Sequence, residues 1–187
     1  MKKGTIAFIV IVVILALICG SLIGSYNKLV SLEETVDKAY SDIDVQLERR
    51  ADLIPNLVST VKGYVAHEES VIKNITTARE NLLKAESVED KAAANNELTN
   101  AINALMVIVE NYPDLKANEN FINLSDELAG TENRIANVRN EYNEAVETYN
   151  SARKKFPTVL IASMFGFEEK EYFEVDESKT DVPEVEF

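Results

Sequence analysis

From Gly4 to Ser25 the chain runs for 22 residues, GTIAFIVIVVILALICGSLIGS, without a charged side chain. In a helix rising about 1.5 Å per residue this covers a hydrocarbon core of about 30 Å, so the run predicts one transmembrane helix. A cleaved leader is the rival reading, but its apolar region is ordinarily only about 7 to 15 residues long, and no A-x-A site follows here. A lipoprotein signal is disfavoured too, because Cys19 follows Ile18 where a small residue is needed. Lys2 and Lys3 precede the run, whereas Lys28 beyond it is soon followed by Glu33, Glu34 and Asp37. The positive-inside rule then favours a cytoplasmic N-terminus, an extracytoplasmic body and a single-pass cell-membrane location. Gly20 and Gly24 make a G-x-x-x-G pair at the outer end of the run. That spacing suits close approach of two spans, hence a homo-oligomer, or is simply what small residues near a helix end look like.

Charge divides the chain sharply. Its 187 residues carry a net charge of -13, and the only charges in the first 25 are those two lysines, which leaves -15 on the remainder. Acids outnumber bases too strongly, and lysines are too dispersed, for a phosphate-binding surface, so nucleic acid is not an expected partner. The sole cysteine, Cys19, lies inside the apolar run, so no intramolecular disulfide forms and stability must come from a packed core.

That core reads as helical. Leu29, Leu32, Val36, Tyr40, Ile43, Leu47 and Ile54 keep helical spacing, with a break expected at residues 52–55 because Pro55 removes a helix donor. A second helix, with Val58, Val61, Val65, Ile72, Ile75 and Leu82, is predicted to run to about Ala85. Ser87 followed by Asp90 suits the start of a third, with Leu98, Ile102, Leu105, Val109 and Tyr112 on its stripe and an end near Asn111. The fourth has the most regular pattern: Phe121, Leu124, Leu128, Thr131, Ile135, Val138, Tyr142, Ala145, Tyr149, Ala152 and Phe156 alternate spacings of three and four. No useful strand alternation appears. The predicted fold is all-α: a transmembrane helix over residues 1–25, an antiparallel up-and-down bundle of about four long helices over 26–156, and an apolar then acidic, partly disordered tail over 157–187. A coiled coil assembled between chains is the alternative that so regular a heptad admits.

Several stretches resemble the LemA family of bacterial membrane proteins: YNKLVSLEETVDKAYSDIDVQLERRADLIPNLVSTVKGYVAHE, ENYPDLKANENF, ELAGTENRIANVRNEYNEAVETYN and FGFEEKEYF. The resemblance covers Tyr26 to Phe173, and the acidic end beyond it is not matched. It implies one N-terminal transmembrane helix followed by an antiparallel helical bundle. It supplies no agreed biochemical function and no catalytic residue to carry over.

The chemistry of the side chains points away from an enzyme. A di-iron bundle needs Glu-x-x-His on two helices, and this chain has one histidine, His67. His67-Glu68-Glu69-Ser70 is followed by Val71 where a zinc-protease motif requires a second histidine, so His67 reads as a half-exposed helix residue. There is no Gly-rich phosphate loop and no candidate triad. No catalytic, metal-binding or cofactor-binding residue is therefore expected.

Two places remain as candidate contact surfaces. Arg153, Lys154 and Lys155, followed after Pro157 by Val159, Leu160, Ile161, Ala162, Met164, Phe165 and Phe167, either touch the membrane interface or cap the open end of the bundle. At the distal end, Arg49, Arg50, Asp52 and Asn56 are expected to join Asn111, Tyr112, Asp114, Lys116, Asn118 and Asn120, as a docking surface or simply as caps and turns. The tail from Glu168 to Phe187 has net charge -7, and its polar end after Val175 is expected to be disordered. The functional expectation is a non-enzymatic adaptor or scaffold at the cell envelope that binds lipid through residues 4–25 and an unidentified protein through its bundle. The alternative is an envelope sensor or ligand-binding module acting through a separate signalling partner.

Overall fold

The computed structural model describes residues 3–65 and 68–174. Six helices form: α1 (Lys3–Lys62), α2 (Glu69–Lys84), α3 (Val88–Val109), α4 (Pro113–Lys116), α5 (Glu119–Lys154) and α6 (Thr158–Phe165). Among the described residues there is no strand, so the chain is an all-α bundle. It divides into two compact units, and α1 and α5 contribute to both. Among the described residues, one unit comprises 3–40 with Asn143–Lys170; the other comprises 41–65 and 68–142 with 171–174.

The break expected at residues 52–55 does not occur. α1 continues through Pro55 to Lys62, so the segment assigned to the start of a second helix belongs to the first. A proline inside a helix removes the N–H that would bond the carbonyl four residues earlier, here Ala51, and its ring pushes that carbonyl aside. The missing donor comes from outside the helix. Arg79 of α2 directs its Nε–H at the Ala51 carbonyl oxygen over 2.7 Å. The reversal falls later, at Gly63 and Tyr64, whose amides bond back to the Thr60 and Val61 carbonyls at 3.3 and 2.9 Å.

The remaining ends follow ordinary capping. Ser87 Oγ accepts from the Asp90 amide at 3.0 Å and starts α3, as expected. The connection over 112–118 contains α4, entered by Pro113 at its first turn. Asn118 Oδ1 accepts from the Phe121 amide at 3.0 Å to start α5. Gly166, at φ 75°, ends α6 in the left-handed conformation that disfavours a Cβ, while its amide and that of Phe167 both reach the Ala162 carbonyl at 3.1 Å.

In the second unit the cross-helix contacts fix the directions. Asp44 pairs with Lys91, and Arg50 bonds Asn95 and Thr99, so α1 and α3 run the same way. Leu53 and Thr60 share a groove with Asn120 and Glu127, and α2 packs on α3 and bonds back to α1, as up-down-up-down connection requires. The core is the expected stripe: Ile43, Leu47, Ile54 and Val61 of α1, Ile75 and Leu82 of α2, Leu98, Ile102 and Leu105 of α3, and Phe121, Leu128 and Ile135 of α5 are buried. Phe156, placed last on the fourth stripe, is 80 % exposed because α5 has already ended at Lys154.

In the first unit Leu29, Val36, Val146 and Tyr149 are buried, whereas the apolar segment of α1 is exposed from Ile6 through Gly20. This helix is long and apolar enough to cross a membrane, and none of its most apolar window is buried within the chain. It continues into the bundle without a linker.

Candidate functional site

Three features concentrate polar chemistry. The first lies within the second unit. Arg50 stands three residues after Leu47 and four before Ile54, on the inward stripe of α1, and is 3 % exposed. Its Nη1 donates to Asn95 Oδ1 at 2.7 Å and to Thr99 Oγ1 at 3.0 Å. Those two bonds use both Nη1 protons, so the approach of Glu132 Oε2 to 2.5 Å is an ion pair and not a directed hydrogen bond. Burial lowers the pKa of Arg50 and the Glu132 charge opposes that shift. Arg50 Nε and Glu132 Oε2, together with the buried Gln46 Oε1 and Ser125 Oγ, have no hydrogen-bond partner.

The second feature is an open groove of about 510 Å³ between α1 and α5 in the same unit, with Leu53, Asn56 and Thr60 on one side and Asn120, Leu124 and Glu127 on the other. Arg49 pairs with Glu127 Oε1, which Arg134 also approaches at 3.4 Å. Of the expected distal cluster, the structure brings Asn56 and Asn120 into this groove and Arg49 to its Glu127. Arg50 goes to the core, and Asp52 lies on an exposed helix face. Arg49, Arg50, Asp52 and Asn56 do not form a connection, since α1 continues past them to Lys62. Across the unit, Asn118 caps α5 and donates to Tyr64 Oη at 2.9 Å, Lys116 pairs with Glu110 at 2.6 Å, and Tyr112 precedes α4. His67 lies outside the described residues. Among the described residues no group of His, Cys, Asp and Glu side chains is arranged to hold a metal ion.

The third feature is the segment after Gly166, an extended strap held by side chains gripping its backbone. In the first unit Arg153 Nε donates to the Phe167 carbonyl at 2.8 Å, Tyr149 Oη to that of Glu168 at 2.9 Å, and Asn150 Nδ2 to that of Lys170 at 2.8 Å. Asn150 Oδ1 accepts in return from the Lys170 amide at 3.0 Å, closing a two-bond bridge like a β-ladder pair. Lys154 pairs with Glu169 at 2.5 Å, and Lys170 with Glu33 and Asp37 at 2.9 and 3.5 Å. The hydrogen bond from Lys154 helps hold the Glu169 carboxyl below its ordinary pKa. Burial pulls the Lys170 ammonium down, but the bond to Glu33 and the charges of Asp37 and Glu33 outweigh it, so its pKa is raised. Burial, reinforced by Glu33, raises that of Tyr149. In the second unit Tyr142 Oη donates to the Glu171 carbonyl at 2.8 Å and Phe173 is buried.

The strap is what sequence reasoning missed. Arg153 and Lys154, expected beside lipid head groups, have internal partners here, and Lys155 of that trio is exposed. The polar end after Val175 lies outside the described residues.

Fold and site together define a class: an all-α bundle carried on an N-terminal helix long and apolar enough to cross a membrane, with polar side chains spent on internal fastening and an open groove between α1 and α5. Comparison with known proteins narrows this. The LemA family profile matches residues 39–187, and the chain belongs to the LemA family. The match starts later than the resemblance in the sequence and runs through the acidic tail, so that tail falls within the family region after all. The chain is 28 % identical over 201 residues to magnetosome protein MamQ of Magnetospirillum gryphiswaldense, covering 92 % of this chain and 74 % of the relative. Magnetosome protein MamQ 2 of Paramagnetospirillum magneticum is 26 % identical over 200 residues, with the same coverage. Protein LemA of Metamycoplasma hominis is 28 % identical over 160 residues, covering 83 % and 71 %.

Proposed function

We propose that this chain is a non-enzymatic adaptor or scaffold, anchored in the cell membrane by residues 4–25 and binding another protein through its bundle. The observation that carries the reading is the groove of α1 and α5: amide and hydroxyl side chains rim Leu53 and Leu124, the mixture of apolar floor and polar margin that suits a protein contact. The lipid-length apolar segment supports anchoring, because none of its most apolar window is buried within the chain and water is a costly environment for those side chains. Photocrosslinking in native membranes tests the docking surface. A photoreactive residue at Asn123, in the groove, should give a discrete protein adduct that the same residue at Val107, exposed on α3, does not. Identical patterns at both positions, or no adduct at Asn123, refute it. The orientation, N-terminus inside and bundle outside, follows from the lysines before the span. An impermeant thiol reagent should label Asp126→Cys in intact cells of a Cys19→Ala strain; labelling only after lysis reverses the topology.

A second reading, a sensor of small ligands, is favoured by the buried Gln46 Oε1, Arg50 Nε and Ser125 Oγ, which make no hydrogen bond inside the bundle. It requires a saturable thermal shift with a small carboxylate that Arg50→Met abolishes.

A further inference from the structure

Helix α6 has two faces, and only one is covered. Thr158, Ile161 and Ala162, at helical spacings of three and four, are buried within the first unit. On the other side Val159 is 40 % exposed, Leu160 50 % and Met164 70 %, with Ser163 between them and Phe156 beyond the N-terminus, while Phe165, four residues after Ile161, lies at the end of the covered face and is 58 % exposed. A helix on a watery surface carries charged or polar residues outward, yet the sequence of α6, TVLIASMF, contains no charge. Of the two readings the sequence left open, the inner triad performs the capping and the outer face is left over.

The position of that face identifies its occupant. Tyr26 directly follows the apolar segment of residues 4–25, two residues before the first charge, Lys28, so it stands where the span ends. Its ring meets Phe165 edge-on at 5.0 Å between centroids and Phe167 at 5.7 Å. The contact fixes the C-terminal end of α6 beside the mouth of the span, the level at which aromatic rings and lysine ammonium groups prefer to sit in a bilayer. Lys28 on α1 and Lys155 before α6 are both exposed near it in sequence.

Resting on the reading of residues 4–25 as a membrane anchor, we propose that the outward face of α6, with Phe156, lies in the boundary between head groups and acyl chains of the bilayer that α1 spans. The chain then meets lipid twice, once through the span and once through a short foot that holds the base of the bundle against the surface. The foot inserts Leu160 and Met164, with Phe165 against Tyr26 at its edge, and leaves Lys155 at the polar margin, facing anionic head groups.

The chain contains no tryptophan, which makes single-tryptophan variants clean depth probes. The full chain is reconstituted in vesicles of phosphatidylcholine and phosphatidylglycerol with lipids brominated at shallow or deep positions. Met164→Trp and Leu160→Trp should emit at shorter wavelength than Val107→Trp and be quenched several-fold more strongly, most by the shallow bromines. Ile14→Trp, within the span, should respond to the deep ones. If Ile14→Trp is quenched while both α6 probes are no more sensitive than Val107→Trp, the foot is overturned and the anchor stands. Blue-shifted α6 emission without lipid quenching also overturns it, since a protein surface such as a second copy then covers the face. If Ile14→Trp escapes quenching, the anchor fails and the foot with it. The two α6 positions face outward, so helicity by circular dichroism should match the parent in both.

Discussion

The passage of α1 through Pro55 rests on one guanidinium, and that dependence is measurable. Arg79→Met keeps most of the side-chain stem and removes the donor, leaving the Ala51 carbonyl without a hydrogen bond. A bond from a charged group is worth about 1.5 to 3 kcal/mol when its partner is left unsatisfied. Arg79 is only half-buried, so water recovers part of the loss and about 1.5 kcal/mol is expected. In a Pro55→Ala background residue 55 regains its N–H and bonds Ala51 in the ordinary helical way, so the same Arg79→Met change should cost only about 0.5 kcal/mol in lost stem contacts. The coupling is the difference, about 1 kcal/mol, within the range for directly interacting residues. Urea titration of the full chain in micelles, followed by far-ultraviolet circular dichroism, reads it as a midpoint shift of roughly 0.5 M present with Pro55 and mostly absent without it. Equal shifts in the two backgrounds would refute the idea that Arg79 stands in for the missing amide.

Other expectations follow from the polar seam and the strap. Arg50→Met leaves the buried Asn95 oxygen without its donor and should cost about 1 to 3 kcal/mol in the same titration, part of it recovered by adding Asn95→Leu. Asn150→Ala removes two hydrogen bonds to Lys170 and should weaken strap docking by about 2 kcal/mol, seen as faster proteolysis between Gly166 and Glu174. Strap docking should also depend on pH at both ends. The lowered pKa of Glu169 contributes stability above the ordinary carboxylate range that is lost as pH falls through the lowered value. The raised pKa of Lys170 contributes stability below the ordinary lysine range that is lost as pH rises through the raised value. Anisotropy of a probe on Glu174→Cys in a Cys19→Ser background should therefore peak across neutral pH, and a monotonic profile would contradict this.

What the sequence disclosed and what it hid differ in physical kind. Helical periodicity depends only on local spacing, so the stripes from Leu29 to Ile54 and from Phe121 to Ala152 were legible, and so was the Ser87 cap. Pro55 was misread because the cost of a proline inside a helix is offset here by Arg79, a residue 24 positions away whose aim no local pattern reveals. Arg50 did carry a signal, its place between Leu47 and Ile54 on the stripe, but the expected break moved it to a connection. The groove was half visible: Asn56 and Asn120 were grouped in advance, while Leu53 and Leu124 were not, because their partial exposure depends on how α1 and α5 pack. The strap left the faintest trace, since Tyr149, Asn150 and Arg153 bind main-chain atoms that every sequence possesses.

That last property carries an evolutionary corollary. The hydrogen bonds from Arg153, Tyr149 and Asn150 read only carbonyls and one amide, so they are blind to the side chains at 167, 168 and 170, except that a proline at 170 would remove the amide. Substitutions at Glu168 are thereby decoupled from the attachment, whereas Glu169 and Lys170 also hold the strap through their ion pairs with Lys154 and with Glu33 and Asp37. Descendants of this chain are free to rewrite, even invert, the charge displayed at 168 while the segment stays fastened along the same helix.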